Sequence, residues 1–320
     1  MTDTYSSLSG DLAALAPRLA AADATIRRVA LIELADDGDP EHVPLLVAAL
    51  ADADAGVRSE AARLLAGWDD ANVAAALAAR LLDHDVDVRT AAAQTLSELK
   101  SQEAGVPLLP WAGHEDAFAR SAALRALREL RLPAARDPAL AALTHADAGV
   151  RREAVGVLGW LKAIDALPAL AGLARHDTDA EVRRVATGAL GFAADASVAP
   201  ALLAALGDDH WPVREEAATT LGKLRLATAT GALIATLEQD IWQVRIKAAR
   251  ALGLIGDAAA LPALIASLAH QAGNLRKEAA ITLGEIGDAG ARAALDVATA
   301  DPDPEVRKAA RLALGRLEAA

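Results

Sequence analysis

The chain has 320 residues, of which 53% are hydrophobic but only 2% aromatic, and it contains no cysteine. The absence of cysteine excludes disulfides, catalytic thiolates, iron–sulfur clusters and cysteine-ligated zinc. A formal net charge of −12 argues against a nucleic-acid partner, because proteins that bind nucleic acid usually carry an excess of lysine and arginine. With so few aromatic residues, the core must consist of alanine and leucine, which favour closely packed helices.

The first ten residues contain neither a basic residue nor an apolar stretch, and we interpret residues 1–10 as a disordered lead-in. A segment without these features is not a secretory signal, so we expect a cytoplasmic protein. No run of 18 uncharged apolar residues follows, so we expect no transmembrane helix and no membrane partner.

An arginine recurs along the whole chain at a step of 31 residues, with a single step of 32 between Arg151 and Arg183. An alanine stands three residues after each of these arginines, and a leucine stands seven residues after it. Ten copies that match at both offsets predict one repeat domain, which we place over residues 11–320 as a single solenoid. The repeat arginines are Arg27, Arg58, Arg89, Arg120, Arg151, Arg183, Arg214, Arg245, Arg276 and Arg307.

Each repeat is predicted to contain two helices. Proline stands near the start of the first helix in six repeats, where its missing N–H needs no partner. In seven repeats an aspartate four residues before the arginine is placed as the N-cap of the second helix. We expect the repeat arginines to join these acidic turns into a network between repeats. The prolines are Pro44, Pro107, Pro138, Pro168, Pro200 and Pro262, and the aspartates are Asp23, Asp54, Asp85, Asp116, Asp147, Asp179 and Asp303.

Two later repeats, Val244-Arg-Ile-Lys-Ala-Ala-Arg-Ala-Leu-Gly-Leu-Ile-Gly-Asp257 and Leu275-Arg-Lys-Glu-Ala-Ala-Ile-Thr-Leu-Gly-Glu-Ile-Gly-Asp288, share Leu-Gly and Gly-Asp signatures. They resemble HEAT-like repeats of the phycobilisome-lyase (PBS lyase) type, and the resemblance covers roughly residues 11 to 318. It implies an all-α fold, a right-handed α-solenoid of about ten two-helix repeats and about twenty helices. Proteins of this repeat class include scaffolds, chromophore lyase subunits, metalloenzyme assembly factors and a hydroxylase. The hydroxylase branch uses His-Glu pairs within helices, whereas His114-Glu115 stands in a predicted turn.

Patterns that indicate chemistry are sparse. No Ser/His/Asp ordering and no phosphate-binding glycine loop is present, so we predict no catalytic residue, no cofactor and no enzyme activity. Six histidines stand four to seven residues before a repeat arginine, and the weak metal candidates among them are His114, His145 and His176. Histidine and aspartate are also ordinary residues of turns and N-caps, and this structural role is the favoured interpretation.

The resemblance places second helices on the concave side of the solenoid, where partners usually dock. We therefore examine the outward positions +1, +2, +5 and +9 from each repeat arginine, named here the second-helix face. Its charges have both signs and nearly balance, which suits a protein partner. Trp160 and Phe192 occupy +9 in adjacent repeats, above Gly156 and Gly188, and predict a shallow apolar hollow; the alternative is that both rings are buried between repeats. The predicted partner-binding residues are Trp160, Phe192, Gly156, Gly188, Arg152, Arg184, Val185 and Leu254.

The function predicted from these patterns is that of a non-enzymatic scaffold or assembly factor, a monomer that binds a partner protein in its concave groove. The alternative is a chromophore or cofactor lyase subunit, or a cofactor-handling chaperone, with a bilin, haem or other planar ligand in the hollow. A nucleic-acid enzyme built on these repeats is disfavoured by the net negative charge.

Overall fold

The computed structural model describes residues 10–36 and 38–319, and these residues form α-helices and short 3-10 helices without any strand. The predicted lead-in lies outside the described residues up to residue 9, and Gly10 is the first residue of a helix. Contacts within the chain divide it into two compact units, Met1–Leu161 and Lys162–Ala320. A single solenoid over residues 11–320 therefore stays a prediction.

The first unit contains ten α-helices in its described residues. The second helix of each repeat, from Ala24–Asp36 to Ala148–Leu161, packs against the second helix of the next repeat. The bounds are α1 (Gly10–Leu19), α2 (Ala24–Asp36), α3 (Val43–Ala49), α4 (Ala55–Leu64), α5 (Ala71–Ala79), α6 (Val86–Leu96), α7 (Gln102–Gly105), α8 (Ala117–Leu130), α9 (Arg136–Ala142) and α10 (Ala148–Leu161).

The second unit also contains ten α-helices in its described residues. Their bounds are α11 (Leu167–His176), α12 (Ala180–Ala189), α13 (Ala199–Ala205), α14 (Trp211–Lys223), α15 (Thr230–Gln239), α16 (Trp242–Ile255), α17 (Leu261–Ser267), α18 (Gly273–Ile286), α19 (Arg292–Ala298) and α20 (Pro304–Ala319). The even-numbered helices again stack in series. In each unit a helix pair contacts mainly its neighbours along the chain, and this arrangement confirms the predicted all-α solenoid class.

Helix boundaries follow from the sequence signatures. Gly256 ends α16 in the left-handed conformation, with φ 77°, a region that glycine enters without steric cost. The next residue, Asp257, accepts a hydrogen bond from the N–H of Ala259 at 3.0 Å and starts the following 3-10 turn. The Gly-Asp signature is thus a helix stop followed by a helix start.

The predicted N-caps are confirmed. Asp54, Asp116 and Asp179 each accept a hydrogen bond from the backbone N–H three residues later, at 3.1, 2.8 and 2.9 Å. In contrast, α14 and α16 begin after His210 and Ile241, which make no side-chain capping bond. Capping of this kind contributes about 1 kcal/mol per helix.

The repeat alanines and leucines form the core. All ten alanines are fully buried, as are nine of the ten leucines, while Leu314 of α20 is only half-buried. Each leucine buried in this way contributes about 1.5–3 kcal/mol through removal of its side chain from water. The small alanines let adjacent helices approach closely, which explains how the chain builds a core almost without aromatic residues.

Among the described residues, the predicted arginine network is present in at least five repeats. In each, the guanidinium group donates two bonds to an aspartate in the turn of the next repeat, and Nη1 donates to carbonyl oxygens of its own turn. The shortest distance between a guanidinium nitrogen and a carboxylate oxygen is 2.6 or 2.7 Å in four pairs and 2.8 Å between Arg276 and Asp301. The hydrogen bonds from Arg58 are the main cause of a lowered pKa of Asp83. The pairs are Arg27–Asp52, Arg58–Asp83, Arg183–Asp208, Arg214–Asp240 and Arg276–Asp301.

Candidate functional site

Helix α10 presents Trp160 on its outward side. Asp147 caps the helix by accepting a bond from the N–H of Val150 at 3.0 Å. The apolar face of the helix, with Ala154 and Leu158 at its centre, is fully buried. The indole of Trp160 lies two positions beyond Leu158 and is 42% exposed, so a large aromatic ring stands on the solvent side of a well-anchored helix.

Arg131, from the end of α8, lies over the face of this ring. Its Cζ atom is 5.0 Å from the centroid of the Trp160 ring, which is the geometry of a cation–π contact. Arg131 is also the C-cap of α8 and has φ 51°, in the left-handed region. This conformation costs a residue with a side chain about 1–2 kcal/mol. The contact with Trp160 and the favourable position of a cation at a helix C-terminus offset part of this cost.

A buried carboxylate, that of Glu153, lies about two turns before Trp160 on α10. Glu153 is only 4% exposed, and three arginines surround it. Arg125 donates from Nε to its Oε1 at 3.2 Å, Arg152 reaches Oε1 at 3.3 Å, and Nη1 of Arg128 lies 3.5 Å from Oε2. One carboxylate is therefore shared by three guanidinium groups, whose side chains remain 37–44% exposed.

The predicted apolar hollow at Gly156 is wrong, because a side chain fills it. A Cβ atom at Gly156 would lie 2.7 Å from Cδ of Arg128, so the glycine makes room for the arginine to cross α10. In the second unit the space at Gly188 is filled in the same manner, there by the carboxylate of Glu216. Glycine at +5 thus admits a charged side chain from the neighbouring second helix.

Phe192 differs from Trp160 in its setting. Helix α12 ends at Ala189, and Phe192 lies in the 3-10 turn Leu190–Phe192, where it is half-buried. Leu254 of α16 is 40% exposed, and Val185 is half-buried. The prediction that Trp160 and Phe192 are equivalent exposed aromatics is therefore wrong, because the short α12 carries the phenylalanine inward.

The charges of the second-helix face form ion pairs between neighbouring helices. In the second unit, Arg184 donates two bonds to Glu181 at 2.6 and 2.8 Å and reaches Glu216 at 3.4 Å. Burial raises the pKa of Glu216 although Arg184 and Lys247 oppose this effect. Three further pairs connect successive helices: Lys247–Glu215, Arg250–Glu278 and Lys277–Glu305. The face of the second unit is thus largely neutralised by its own pairs.

The metal candidates have other roles. His114 and His145 use Nδ1 to accept the N–H two residues later, both at 3.0 Å, and His176 ends α11. Among the described residues, no group of three or more His, Cys, Asp or Glu side chains is placed to hold a metal ion. His114, His145 and His270 occupy the turn position that aspartate holds in other repeats, and Nε of the facing Arg89, Arg120 and Arg245 is buried without a hydrogen bond.

A cleft that the sequence did not predict lies on the first unit. Helices α4 and α6 are shorter than the 14-residue α8, and beyond their ends Trp68 follows Gly67, whose φ is 86°. The opening has a volume of about 330 Å³ and is lined by Trp68, Thr95 and Lys100 among others. The signal in the sequence that could have indicated this cleft is a tryptophan, Trp68, just after a short second helix.

Comparison of the sequence with models of known families identifies the family of this chain. The family model described as HEAT repeats matches residues 12–97, 46–128, 105–191, 173–241 and 230–315. The chain belongs to the HEAT-repeat family. No curated protein shows significant sequence similarity to this HEAT-repeat chain. None of its described helices is both long and apolar enough to cross a membrane.

Solved structures share the fold of this HEAT-repeat protein at low identity. An engineered protein is 24% identical with a TM-score of 0.56, and the match covers 97% of this chain and 99% of that one. YibA of Escherichia coli is 18% identical with a TM-score of 0.54, over 91% and 96% of the two chains. Kap95p, solved with RanGDP, is 17% identical with a TM-score of 0.60 over 96% of this chain, which spans about half of Kap95p, 48% of its length.

Proposed function

We propose that this HEAT-repeat protein is a non-enzymatic scaffold or assembly factor that binds a partner protein through the second-helix face. The observation that carries the proposal is the exposed Trp160, held under Arg131 on a helix whose inner face is buried. Large aromatic residues exposed on an otherwise charged surface are typical anchors of protein interfaces. The ring is already ordered by its neighbour, so little side-chain entropy is lost when a partner covers it.

The other predicted contacts are part of the same proposal. On the first unit, Gly156 lies about one turn before the tryptophan and admits Arg128, and Arg152 lies about two turns before it on the same helix. On the second unit, Arg184, Val185, Gly188, Phe192 and Leu254 form a separate contact surface of mixed character. Leu254 is the most exposed apolar group of that set.

The choice of a protein as the partner rests on charge and on fold. The net charge of −12 opposes binding to nucleic acid, whereas the paired charges of the second-helix face suit the polar rim of a protein interface. Kap95p, whose structure shares this fold, was solved with the protein RanGDP. We further propose that the repeats are of the phycobilisome-lyase type, on the Leu-Gly and Gly-Asp signatures, and that the protein acts as a cytoplasmic monomer.

The test compares partner capture by the wild-type protein and by Trp160→Ala, with extract from the organism that encodes it. We expect capture of a specific protein to fall at least tenfold, because a central aromatic anchor commonly contributes 2 kcal/mol or more. Trp211→Ala is the matched control, since Trp211 is also 42% exposed but begins α14 in the second unit. Phe192→Ala tests the second unit separately.

Circular dichroism establishes that each variant is folded. Undiminished capture by folded Trp160→Ala, or an equal loss in Trp211→Ala, contradicts the proposal. Turnover of a substrate by the purified protein alone contradicts its non-enzymatic part.

A further inference from the structure

The arginine cluster of α8 and α10 has more hydrogen-bond donors than its own carboxylates use. Arg125, Arg128 and Arg152 share Glu153, which has two oxygens, and Nε of Arg128 is buried without any partner. The only other carboxylate that contacts the cluster among the described residues is the exposed Glu129, 3.4 Å from Arg128. A guanidinium group offers five N–H donors, so the three groups, whose side chains are 37–44% exposed, have more donors than Glu153 and Glu129 can accept.

The distances in the cluster indicate that it is not optimised as a structural ion pair. Contacts to Glu153 measure 3.2 to 3.5 Å, whereas the bonds between Arg58 and Asp83 measure 2.7 and 2.8 Å. Charge-assisted bonds of good geometry are usually 2.7–2.9 Å long. The chain thus builds tight bidentate pairs where they hold repeats together, and loose, donor-rich contacts around Glu153.

Arg131 adds a fourth cation in a conformation that glycine adopts elsewhere in the chain. The residue that ends the second helix at the equivalent place is Gly256 in α16 and Gly287 in α18, with φ of 77° and 76°. Arg131 has the same left-handed backbone with φ 51°. Lys162 and Arg225 share this φ at the equivalent places of their repeats, so Arg131 is distinguished not by its backbone but by what its side chain contacts. That side chain lies on Trp160.

From these observations we propose that α8 and α10 form a docking site for an acidic peptide segment of the partner. The carboxylates of the segment bind the free donors of Arg125, Arg128 and Arg152, and an apolar side chain of the segment packs against Trp160. The inference rests on the proposed function and specifies which chemistry the partner presents.

Local charge favours this occupant although the whole chain is acidic. Within the described residues of the first unit, the four arginines form ion pairs with Glu129 and Glu153 alone, so this part of the first unit carries more positive than negative charge. At 0.1 M salt, charges further away than about 10 Å are largely screened, and the near cations dominate. The contacts of Glu153 show how these arginines bind a carboxylate, and a carboxylate of the peptide would bind them in the same way. An extended nucleic-acid backbone would meet the excess of negative charge beyond the cluster.

The experiment measures binding of a fluorescein-labelled peptide of repeated Glu-Glu-Leu units to the full-length protein by fluorescence anisotropy. A Gln-Gln-Leu peptide of the same length is the uncharged control, and a single-stranded DNA oligonucleotide is the nucleic-acid control. We expect the glutamate peptide to bind at least tenfold more tightly than either control, with an affinity that falls as salt is raised.

Two variants locate the peptide without unfolding the site. Arg152→Gln leaves Arg125 and Arg128 on Glu153, and Arg131→Gly relieves the left-handed strain, so both should remain folded. We expect each to weaken peptide binding about tenfold. The matched controls lie in the second unit: Arg225→Gly, at a residue with the same φ of 51°, and Lys277→Gln, which removes one exposed positive charge. Neither should change the affinity by more than twofold.

Equal affinity for the glutamate and glutamine peptides, tighter binding of the oligonucleotide, or an equal effect of Arg131→Gly and Arg225→Gly each overturns the inference. These outcomes leave the proposed function intact if Trp160→Ala still abolishes partner capture. Conversely, a peptide that binds with the expected pattern while Trp160→Ala captures the partner normally overturns the proposed function alone.

Discussion

Helices α8 and α10 of the first unit and helices α16 and α18 of the second are built alike but end differently. All four have 14 residues, and their repeat alanines and leucines are fully buried. Helices α16 and α18 end at left-handed glycines, Gly256 and Gly287. At the same place α8 is followed by Arg131 and α10 by Lys162, both with φ 51°, a value that Arg225 after α14 shares.

The two helix pairs also differ in how many arginines share one glutamate. Between α16 and α18, Arg250 bonds to both oxygens of Glu278 at 2.9 and 3.2 Å, one cation for one anion. Between α8 and α10, three arginines share Glu153 at longer distances. The cores of the two pairs are equal but their surfaces differ: the second pair joins one cation to one anion, whereas the first has more guanidinium donors than its carboxylates can accept.

The largest expected difference is in the stability lost when one arginine of each helix pair is replaced by alanine. Arg250→Ala leaves Glu278, which is 8% exposed, without its ion-pair partner, and we expect the free energy of unfolding to fall by about 1–3 kcal/mol. Arg125→Ala leaves Glu153 with Arg128 and Arg152, and we expect a loss of about 0.5 kcal/mol or less. Urea unfolding followed by circular dichroism measures both values.

Equal losses in the two variants would mean that the cluster around Glu153 is an ordinary stabilising pair. The comparison requires unchanged m-values, since a change in m would report an altered denatured state or loss of cooperativity.

The second comparison exchanges the residues that end the helices. Gly256→Arg places a side chain at φ 77°, and we expect a loss of about 1 kcal/mol. Arg131→Gly removes the same strain but also the contact with Trp160 and one cation at the helix end, and glycine makes the unfolded chain more flexible. We therefore expect a smaller change, between no effect and a gain of about 0.5 kcal/mol. A loss above 1 kcal/mol in Arg131→Gly would show that Arg131 serves the fold.

Most of the fold could be predicted from the sequence because its determinants are local and repeated. The alanine and leucine of each repeat, the capping aspartates and the arginine network depend on fixed spacings. The structure confirms the first three, and it confirms the network in five repeats but not at Arg89, Arg120 and Arg245. The histidines show the limit of this approach. His114 stands one repeat later at the turn position of Asp83, but an imidazole cannot accept two bonds from its arginine as Asp83 does from Arg58. Chain position alone does not reveal that Nε of Arg89 has no acceptor and that its guanidinium group lies over the ring of Phe118 instead.

The site was predicted only in part. Trp160 was identified because it replaces charged residues at +9, and it is exposed as expected. The hollow at Gly156 was wrong because spacing along α10 gives no information on where Arg128 of α8 extends. Phe192 was misplaced because α12 stops at Ala189, which the repeat alignment does not show. Arg131 was missed because a basic residue also stands at this place as Lys162 and Arg225, and spacing along the chain does not show which of them meets an aromatic ring.

The smallest expected effect compares two glutamates of the second-helix face, Glu153 and Glu216, by replacing each with glutamine. Burial raises the pKa of Glu216, so its charged form is disfavoured in the folded state. The resulting stability is present below the unfolded pKa and is lost as pH rises through the raised folded pKa. Glu216→Gln should therefore give a slightly higher Tm at pH 7, and the advantage should vanish in acid. Its partners keep other anions, Arg184 with Glu181 and Lys247 with Glu215.

Glu153→Gln should behave in the opposite way, because it removes the one buried carboxylate that three arginines share. Its Tm at pH 7 should fall, and the glutamate peptide should bind more tightly, since the arginines lose the internal anion that competes for their donors. Thermal unfolding at pH 7 and in acid, together with peptide anisotropy, measures these changes. If Glu153→Gln and Glu216→Gln shift Tm in the same direction and leave peptide affinity unchanged, the donor excess around Glu153 has no functional meaning.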